Sequence, residues 1–272
     1  MTTKIVPACI CFTLIAFSLQ LSSCKKDNAV AGDRNNARSV DALIDSLSTG
    51  LVAWYTFDGD VLDHSGNNNN VIFNSAKPAK GKAGLPKTAY LFDGNSYMTV
   101  ANRTSLNPQK ITLFAVIKPK GFWAGTCHDN RIISKGYNDT WSGRYTLGYN
   151  DQAFYNYTGC YDTVATKFEN FVGSFGDGQG TAAGVVDNLD KVRLGRWYSI
   201  AFTYNGTYAK FYVDGILKGQ ASATTTFTPS TQDVFIGRNE DPNFPYSFNG
   251  LIDELRIYKR ALTASEIEQL SQ

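Results

Sequence analysis

Two adjacent carboxylates, Asp253 and Glu254, lie in an apolar stretch near the C-terminus, GLIDELRIY (250–258). Such a pair occurs in acid/base catalysis, in metal sites, or as one buried group beside one solvated group. Side chains alternate between the two faces of a strand. Alternation predicts that Asp253 lies on the core-facing side together with Leu251, Leu255 and Ile257. Glu254 and Arg256 would then form an exposed charge pair on the other side.

Residues 122–161 combine aromatic and polar side chains in a way that suits sugar binding. Flat rings pack against the C–H faces of sugars, and amides and carboxylates bond the hydroxyls. Six residues are predicted to bind sugar: Trp141, Tyr155, Trp123, Tyr157, Asn138 and Asp139. Trp141 and Tyr155 are favoured because their surroundings are loop-like. The alternative is that many of these rings fill a core, as strand aromatics usually do.

The elements that must position these residues are strands. From Leu51 onward, alternating runs separated by turn residues predict one all-β domain over 51–272, a sandwich or a barrel. Asp214-Gly215 predicts a tight hairpin, because a type I′ turn needs positive φ at both central residues. The closing TASEIEQL (263–270) is the only predicted helix, with Thr263 and Glu266 as its capping box.

The first 23 residues predict a secretory signal, in which Lys4 precedes an apolar run. The run ends at Leu21-Ser22-Ser23-Cys24, which resembles the bacterial lipobox, so Cys24 is the expected acylated N-terminus. A transmembrane helix followed by an ordinary Cys is the alternative. Residues 24–50 are expected to be a flexible tether. The expected location is the cell envelope, as an outer-membrane lipoprotein, and KKDN after Cys24 resembles the export signal of surface lipoproteins of the Bacteroidota.

The formal net charge of the chain is +2, and its basic residues are scattered. No stripe of positive charge would follow a phosphate backbone, so nucleic acid is not an expected partner. Beyond the signal and Cys24, the remaining cysteines are Cys127 and Cys160. In an oxidising compartment this even pair is expected to form a disulfide. A zinc site would need more ligands than these cysteines and the two histidines supply.

Seven fragments stand in a characteristic order: WYTFDGDVLDHSGNNN, YLFDGNSYMTV, ITLFAVIKP, RIISKG, GRWYSIAFTYNGTYAKFYVDGILKG, VFIGR and FNGLIDELRIYKRALTASEI. Their order resembles the laminin-G-like jelly-roll domains of the concanavalin A-like lectin/glucanase superfamily. The resemblance covers nearly all of residues 51–270. It implies an all-β, two-sheet antiparallel jelly-roll sandwich with a short C-terminal helical turn. Between about Cys127 and Asp190 the chain is longer and more aromatic than the family pattern, so an individual function is expected there.

The superfamily includes lectins, carbohydrate-binding modules, adhesion domains and glycosidases, so the fold does not name the function. Its glucanases carry Glu-x-Asp-x-x-Glu on one strand, and this sequence has no such run. The expected function is a non-catalytic, lectin-like carbohydrate-binding module that captures glycans at the cell surface. A protein-binding adhesion or assembly domain is the alternative, and a glycosidase or polysaccharide lyase is less favoured.

Relatives on this fold often hold a structural Ca²⁺ between the N-terminal strand region and the closing strand. The resemblance therefore implies Asp58, and next Asp63, as partners of Asp253. Calcium takes six to eight oxygen ligands, so carbonyls and water would complete the shell. The alternative is a metal-free Asp253 that accepts backbone N–H bonds from a turn, since a buried carboxylate needs either a cation or several donors.

Overall fold

The computed structural model describes residues 46–124, 129–136, 144–151, 169–176, 182–225 and 227–272. Within the chain, residues 41–272 form one compact unit. None of the described helices is both long and apolar enough to cross a membrane. Cys24, Cys127 and Cys160 lie outside the described residues, so the lipid anchor and the disulfide stay predictions.

Over the described residues, fifteen strands follow one another along the chain. They are β1 (Leu51–Tyr55), β2 (Val71–Asn74), β3 (Lys77–Ala79), β4 (Ala89–Asp93), β5 (Met98–Val100), β6 (Ile111–Gly121), β7 (Asn130–Lys135), β8 (Tyr145–Asp151), β9 (Glu169–Gly176), β10 (Ala182–Lys191), β11 (Tyr198–Tyr204), β12 (Tyr208–Val213), β13 (Ile216–Ser222), β14 (Val234–Ile236) and β15 (Asn249–Tyr258). A 3₁₀ turn (Thr104–Leu106) and a C-terminal helix (Ala264–Leu270) accompany them.

The strands form two antiparallel sheets. The first sheet has the order β13-β12-β11-β6-β15-β4-β3, and β1 pairs with β15 as well. The second sheet has the order β10-β9-β8-β7-β14-β5-β2. Several neighbours in both sheets, such as β6 with β15 and β7 with β14, come from distant parts of the chain, as in a jelly-roll sandwich. The predicted fold class is confirmed.

Aromatic rings between the sheets hold the core together. Phe171 of β9 packs against Tyr198 of β11 with 5.0 Å between ring centroids, and Phe175 approaches Tyr204 at the same distance. Between these two rings lies Gly173, where an added Cβ would come within 2.4 Å of the Phe202 ring. The two sheets therefore approach closely at β9 and β11, and a larger residue at 173 would push them apart.

The predicted hairpin joins β12 to β13. Asp214 has φ 50° and Gly215 has φ 80°, the positive values that a type I′ turn requires. The Asp214 carboxylate also accepts the backbone N–H of Ser199 at 3.0 Å, which ties the turn to β11. The hairpin prediction is confirmed.

The C-terminal helix covers part of the outer side of the first sheet. Leu262 and Ile267 join a second apolar cluster with Phe114 and Tyr258, separate from the core between the sheets. Thr263 and Glu266 form the predicted capping box. Both carboxylate oxygens of Glu266 also accept bonds from Arg260, at 2.7 and 2.9 Å.

Arg260 joins the helix to the start of the domain. Its guanidinium donates to the carbonyl oxygens of Ser46 at 2.6 Å and Thr49 at 2.7 Å. The Arg260 hydrogen bonds are the main reason that the pKa of Glu266 is lowered to about 2. The ionised carboxylate is therefore the form that holds this junction together.

We expect the domain to lose stability in acid through this junction. Because the folded state lowers the pKa of Glu266 from 4.5 to about 2, its contribution is complete above about pH 4.5 and is lost as the pH falls towards 2. Glu266→Gln should cost about 1.5–3 kcal/mol of the free energy of unfolding at pH 7 and flatten this acid dependence. Denaturant titrations between pH 7 and pH 2 measure both effects. Glu268→Gln, an exposed change on the same helix, should leave the profile unchanged, and equal profiles for all three proteins would contradict the assignment.

Candidate functional site

The central strands β8 and β9 of the second sheet alternate between the core and the opposite face. Their core-facing residues are large and apolar or aromatic: Tyr145, Leu147, Tyr149, Phe171 and Phe175. The residues between them point to the opposite face, where β7 contributes one more polar side chain. We call five of these outward residues the polar strip: Ser134, Thr146, Asn150, Asn170 and Ser174.

Strand register arranges the polar strip in two rows. Ser134 lies opposite Thr146, and Thr146 lies opposite Ser174. In the second row, Asn150 lies opposite Asn170. Directly opposed side chains in antiparallel strands are close neighbours on one face. The strip is thus a group of hydroxyls and amides that spans three strands, and all of its side chains except Ser174 are buried.

Several polar atoms of the strip have no hydrogen-bond partner. Within the described part of the chain, no group pairs with the Ser134 hydroxyl, with either amide atom of Asn150, or with the Asn170 amide nitrogen, and all of these atoms are buried. The Asn170 amide oxygen, by contrast, accepts from Lys191 Nζ at 2.9 Å. Unsatisfied buried groups cost about 1–3 kcal/mol each and are uncommon in folded proteins. The stability of the fold therefore does not explain why residues 150 and 170 are asparagines.

The strip is partly open along β9 and β10. Ser174 and Lys191 are each partly exposed. The Ser174 hydroxyl shares a hydrogen bond of 2.8 Å with Thr146, and either group can donate. A ligand hydroxyl that reaches Ser174 would therefore meet a short chain of hydroxyl groups.

Two aromatic residues, Trp123 and Tyr246, border the same face at the start of β7. Trp123 is partly exposed and meets Tyr246 edge-on, with 5.2 Å between ring centroids. The Arg131 guanidinium lies 5.6 Å from the Tyr246 ring centroid and pairs with Asp129 at 2.5 Å. Arg131 opposes Gly148 in β8, between the two rows of the strip. Trp123 therefore stands at the border of the polar face.

Trp123 is the one predicted sugar-binding residue that falls within the described residues. The other five lie outside them: Trp141, Tyr155, Tyr157, Asn138 and Asp139. The polar strip itself was not predicted. The sequence pattern that could have indicated the strip lies in YTLGYN (145–150) and NFVGSF (170–175), where aromatic or aliphatic residues alternate with polar or small ones.

The prediction for the face of Asp253 was wrong because of a β-bulge. Ile252 opposes Ile117 and Glu254 opposes Val116, so Asp253 is the extra residue between them. A bulge shifts the alternation by one position. The core consequently receives Ile252 together with Leu255 and Ile257, while Leu251 and Asp253 are only partly buried and lie outside it.

The Asp253 carboxylate accepts the backbone N–H of Lys82 at 2.5 Å, from the turn between β3 and β4. Burial raises the pKa of this carboxyl above its usual range, and the nearby carboxylates of Glu254 and Asp58 add to the rise. The hydrogen bond from Lys82 opposes that rise. This contact is the turn-bonded arrangement that was the alternative to a calcium site.

The other predicted calcium ligands have different surroundings. Asp58 is exposed. Asp63 uses both oxygens to hold its own loop, accepting the backbone N–H groups of Trp54 at 2.9 Å and Asn69 at 2.8 Å, among others. Across the described residues, no three His, Cys, Asp or Glu side chains are grouped as they are around a metal ion. These contacts do not show whether Asp58, Asp63 and Asp253 bind calcium, so the calcium site stays a prediction.

Glu254 is engaged in a cluster on the outer side of the first sheet. Its carboxylate accepts from Trp54 Nε1 at 2.8 Å and from Arg256 Nε at 2.5 Å. The Arg256 guanidinium lies 4.3 Å from the Trp54 ring centroid. Glu254 and Arg256 share a face as predicted, but the pair is largely buried rather than exposed, because Trp54 packs against it.

Residues 92–268, more than half of the chain, match a laminin-G family described as the Concanavalin A-like lectin/glucanases superfamily. No curated protein matches the sequence. Among solved structures, similarity is found to domain 4 of AbnA, a GH43 extracellular arabinanase from Geobacillus stearothermophilus, in complex with arabinotriose. The TM-score is 0.59 at 22% identity, over 82% of this chain and 98% of that one.

Two toxin structures are similar as well. The binding domain of Paraclostridial Mosquitocidal Protein 1 has a TM-score of 0.60 at 18% identity, over 83% of this chain and 52% of that one. A structure of botulinum neurotoxin type C, whose cell entry depends on interaction with two ganglioside molecules, has a TM-score of 0.60 at 12% identity, over 84% and 52%. The chain spans about half the length of these toxin chains. At these identities the likeness shows the fold, and by its family match the chain belongs to the Concanavalin A-like lectin/glucanases superfamily.

Proposed function

We propose that this protein is a non-catalytic carbohydrate-binding module whose glycan site lies on the face of the polar strip and is entered where Ser174 and Lys191 are partly exposed. The observation that carries the proposal is the set of buried polar atoms on Ser134, Asn150 and Asn170 that no described protein group satisfies. Sugar hydroxyls both donate and accept hydrogen bonds, as these hydroxyl and amide groups do. Arabinotriose bound by the similar arabinanase domain, and the interaction of the similar type C neurotoxin with gangliosides, support a sugar as the ligand class.

The geometry of the face suits a sugar. The two amides of Asn150 and Asn170 stand side by side on neighbouring strands, so together they offer donors and acceptors at a spacing of about 5 Å. Trp123 at the border supplies a ring for the C–H face of a sugar. Specificity would come from the few polar groups, and much of the contact area from the rings.

Catalysis is not part of the proposal. A glycosidase needs two carboxyl groups about 5–10 Å apart across a groove, one of them free to move a proton. On the first sheet, Glu254 is held by Trp54 and Arg256. Just before β7, Asp129 is fully buried in an ion pair with Arg131. These carboxylates are already committed to contacts that hold the fold.

The location is part of the same proposal. A chain acylated at Cys24 and tethered by residues 24–50 would hold the module at the outer surface of the cell envelope, where it meets glycans. Arg260 binds the carbonyls of Ser46 and Thr49, so the domain is anchored where the tether enters it. A surface lipoprotein of the outer membrane is the arrangement that the signal and the tether support.

Affinity electrophoresis against a panel of plant and host polysaccharides tests the function. We expect retardation by at least one neutral polysaccharide, without release of products on long incubation. If the electrophoretic mobility of the protein is unchanged by every polysaccharide of the panel, the proposal is contradicted and the adhesion alternative is favoured. Product release would instead favour an enzyme.

Replacing Asn150 by Leu should weaken glycan binding yet stabilise the domain. The change removes a buried amide that has no partner among the described residues, so the free energy of unfolding should rise by about 1 kcal/mol, while binding to the retained polysaccharide should fall about fivefold or more. Asn69→Leu is the matched control, because that buried amide donates to the Val52 carbonyl at 2.8 Å. This control should lose about 1–3 kcal/mol. Equal destabilisation in both variants with unchanged binding would refute the role of Asn150.

Membrane-extracted protein should begin at Cys24. Intact-mass and peptide mass spectrometry should find a lipid-modified Cys24, and Cys24→Ser should move the protein out of the membrane fraction, because one acylated residue carries the anchor. Ser23→Thr, a milder change at the neighbouring position, serves as the control. An unmodified chain that retains residues 1–23 would contradict the lipoprotein assignment.

Chelation decides whether Asp253 binds calcium. If Asp58 and Asp253 hold Ca²⁺, EGTA should lower the melting temperature, added Ca²⁺ should restore it, and Asp253→Asn should abolish the response. If Lys82 is the only partner, EGTA should have no effect, and the amide oxygen of the Asn variant should still accept the Lys82 N–H. Asp60→Asn serves as the control from the same acidic loop. Differential scanning calorimetry separates the two outcomes.

A further inference from the structure

The outer side of the first sheet carries an open groove beside the loop between β10 and β11. We call it the lysine groove, and five residues line it: Lys118 and Lys120 of β6, Leu251 of β15, and Leu194 and Gly195 of the loop. Its volume of about 480 Å³ lies in the range of small-ligand sites. Lys120, Leu194 and Gly195 are exposed, and Lys118 and Leu251 are partly exposed. A ligand can therefore enter the groove directly from solvent.

Strand alternation places both lysines on this outer side. Ile117 belongs to the core between the sheets and Pro119 is buried, so Lys118 and Lys120 point the other way. Two residues apart on one strand, their Cα atoms lie about 7 Å from each other. Leu251 opposes Lys118 on the neighbouring strand β15. The groove thus combines two ammonium groups with an apolar side chain next to them.

The loop wall of the groove is held against β6. The Gly195 N–H donates to the Pro119 carbonyl at 2.7 Å, and the Arg193 N–H donates to the Tyr198 hydroxyl at 2.9 Å. Gly195 has φ 81°, in the left-handed region that glycine adopts readily. These bonds fix the position of Leu194, whose side chain is 47% exposed. A leucine that stays this exposed contributes little to the hydrophobic stability of the fold.

The two lysines have no acidic partner in the part of the chain that the structure describes. Neither Lys118 nor Lys120 forms an ion pair there. Lys118 Nζ lies 5.9 Å from the Trp197 ring centroid, a contact that uses none of its N–H donors. Arg193, exposed on the loop wall, adds a third positive charge nearby. The groove therefore favours a ligand with negative charge.

Carboxylates on the neighbouring strands are bonded elsewhere. Asp93 at the end of β4 accepts the Ser96 hydroxyl at 2.6 Å. Asp253 of β15 accepts the backbone N–H of Lys82 at 2.5 Å. Both carboxylates serve turns at the other side of β15 from the lysines, so the ammonium groups remain available to a ligand.

We propose that the lysine groove binds an acidic sugar, with the carboxylate of a uronic acid unit held by Lys118 and Lys120. The inference rests on the proposed function in taking a glycan as the ligand, and it adds a second site, on the other sheet, with a sugar class of its own. Hydrogen bonds from an ammonium group to a carboxylate are charge-assisted and among the stronger ones in proteins. The C–H face of the same sugar packs on Leu194 and Leu251.

The two kinds of side chain in the groove together select this occupant. Inorganic phosphate would pair with the lysines but would leave the apolar surface of Leu194 and Leu251 in water. A neutral sugar would cover the leucines but would leave two neighbouring ammonium groups without a counter-charge. A uronic acid carries a carboxylate and an apolar ring face in one unit, so it matches both parts of the groove.

Isothermal titration with trimers of galacturonate, guluronate and mannuronate tests the proposal, in EGTA so that calcium cannot bridge sugar and protein. At least one trimer should bind, and its fully methyl-esterified form should bind about tenfold more weakly. Lys120→Gln should lower the affinity for the charged trimer by about five- to tenfold, whereas Lys120→Arg should retain most of it. Lys259→Gln is the matched control, because it removes the same charge from an exposed lysine beyond the other end of β15.

Leu194→Ser tests the apolar wall without a change of charge. It should weaken the charged trimer about threefold or more, because the sugar face loses its contact. If Leu194→Ser has no effect, or if inorganic phosphate displaces the trimer at equal concentration, the groove binds anions regardless of the sugar and the proposal is overturned. Binding to phosphatidylglycerol vesicles that Lys120→Gln abolishes, with no trimer bound, would assign the groove to a lipid headgroup and would overturn it as well.

The outcomes separate this inference from the proposed function. If the protein binds neither neutral polysaccharides nor any of the trimers, both fail. If a neutral polysaccharide is retained and no trimer binds, or if Lys120→Gln binds the trimer as the wild type does, only the lysine groove is overturned. A trimer whose binding is weakened by Lys120→Gln and unchanged by Asn150→Leu supports a separate acidic-sugar site, whatever the result for neutral polysaccharides.

Discussion

The packing of β9 against β11 is the contact on which the rest of the structure depends. Phe171 and Phe175 insert into the core beside Tyr198 and Tyr204, and the close approach at Gly173 leaves no room for another side chain. This contact fixes which side of β9 faces inward. Because side chains alternate along a strand, the same contact fixes Asn170 and Ser174 on the opposite side. The polar face is therefore positioned by the core.

The polar strip differs from the other buried polar groups in what holds it. Asn69 and Asp63 are also buried or partly buried, but their side chains bond backbone groups of β1 and of the loop that follows it, and so stabilise the fold. The amide of Asn150 makes no such bond to any described residue. Buried polar groups without a partner are uncommon in folded proteins, and departures from such local rules are expected mainly at functional sites. That contrast is the physical reason for proposing the glycan site on the second sheet.

The outer side of the first sheet shows how strand alternation can mislead. Along the β6–β11 and β8–β9 pairs, side chains alternate regularly between the two faces, because neither pair has a register shift. In β15 a bulge at Asp253 reversed the assignment for Leu251 and brought Ile252 into the core. The bulge has no clear sequence signal, since it depends on how β15 pairs with β6. A carboxylate at such an irregular position is free to bond a turn on a neighbouring strand.

The sequence by itself determined the features that depend on neighbouring residues: the all-β character, the Asp214-Gly215 hairpin and the Thr263–Glu266 capping box. Turn conformation and helix capping are set within a few residues, so local chemistry suffices. Only the tertiary structure decided that Ser134 lies in line with Ser174, and that Asp253 meets Lys82. Those contacts join segments far apart in the chain, and strand order and register create them through packing of the whole sandwich.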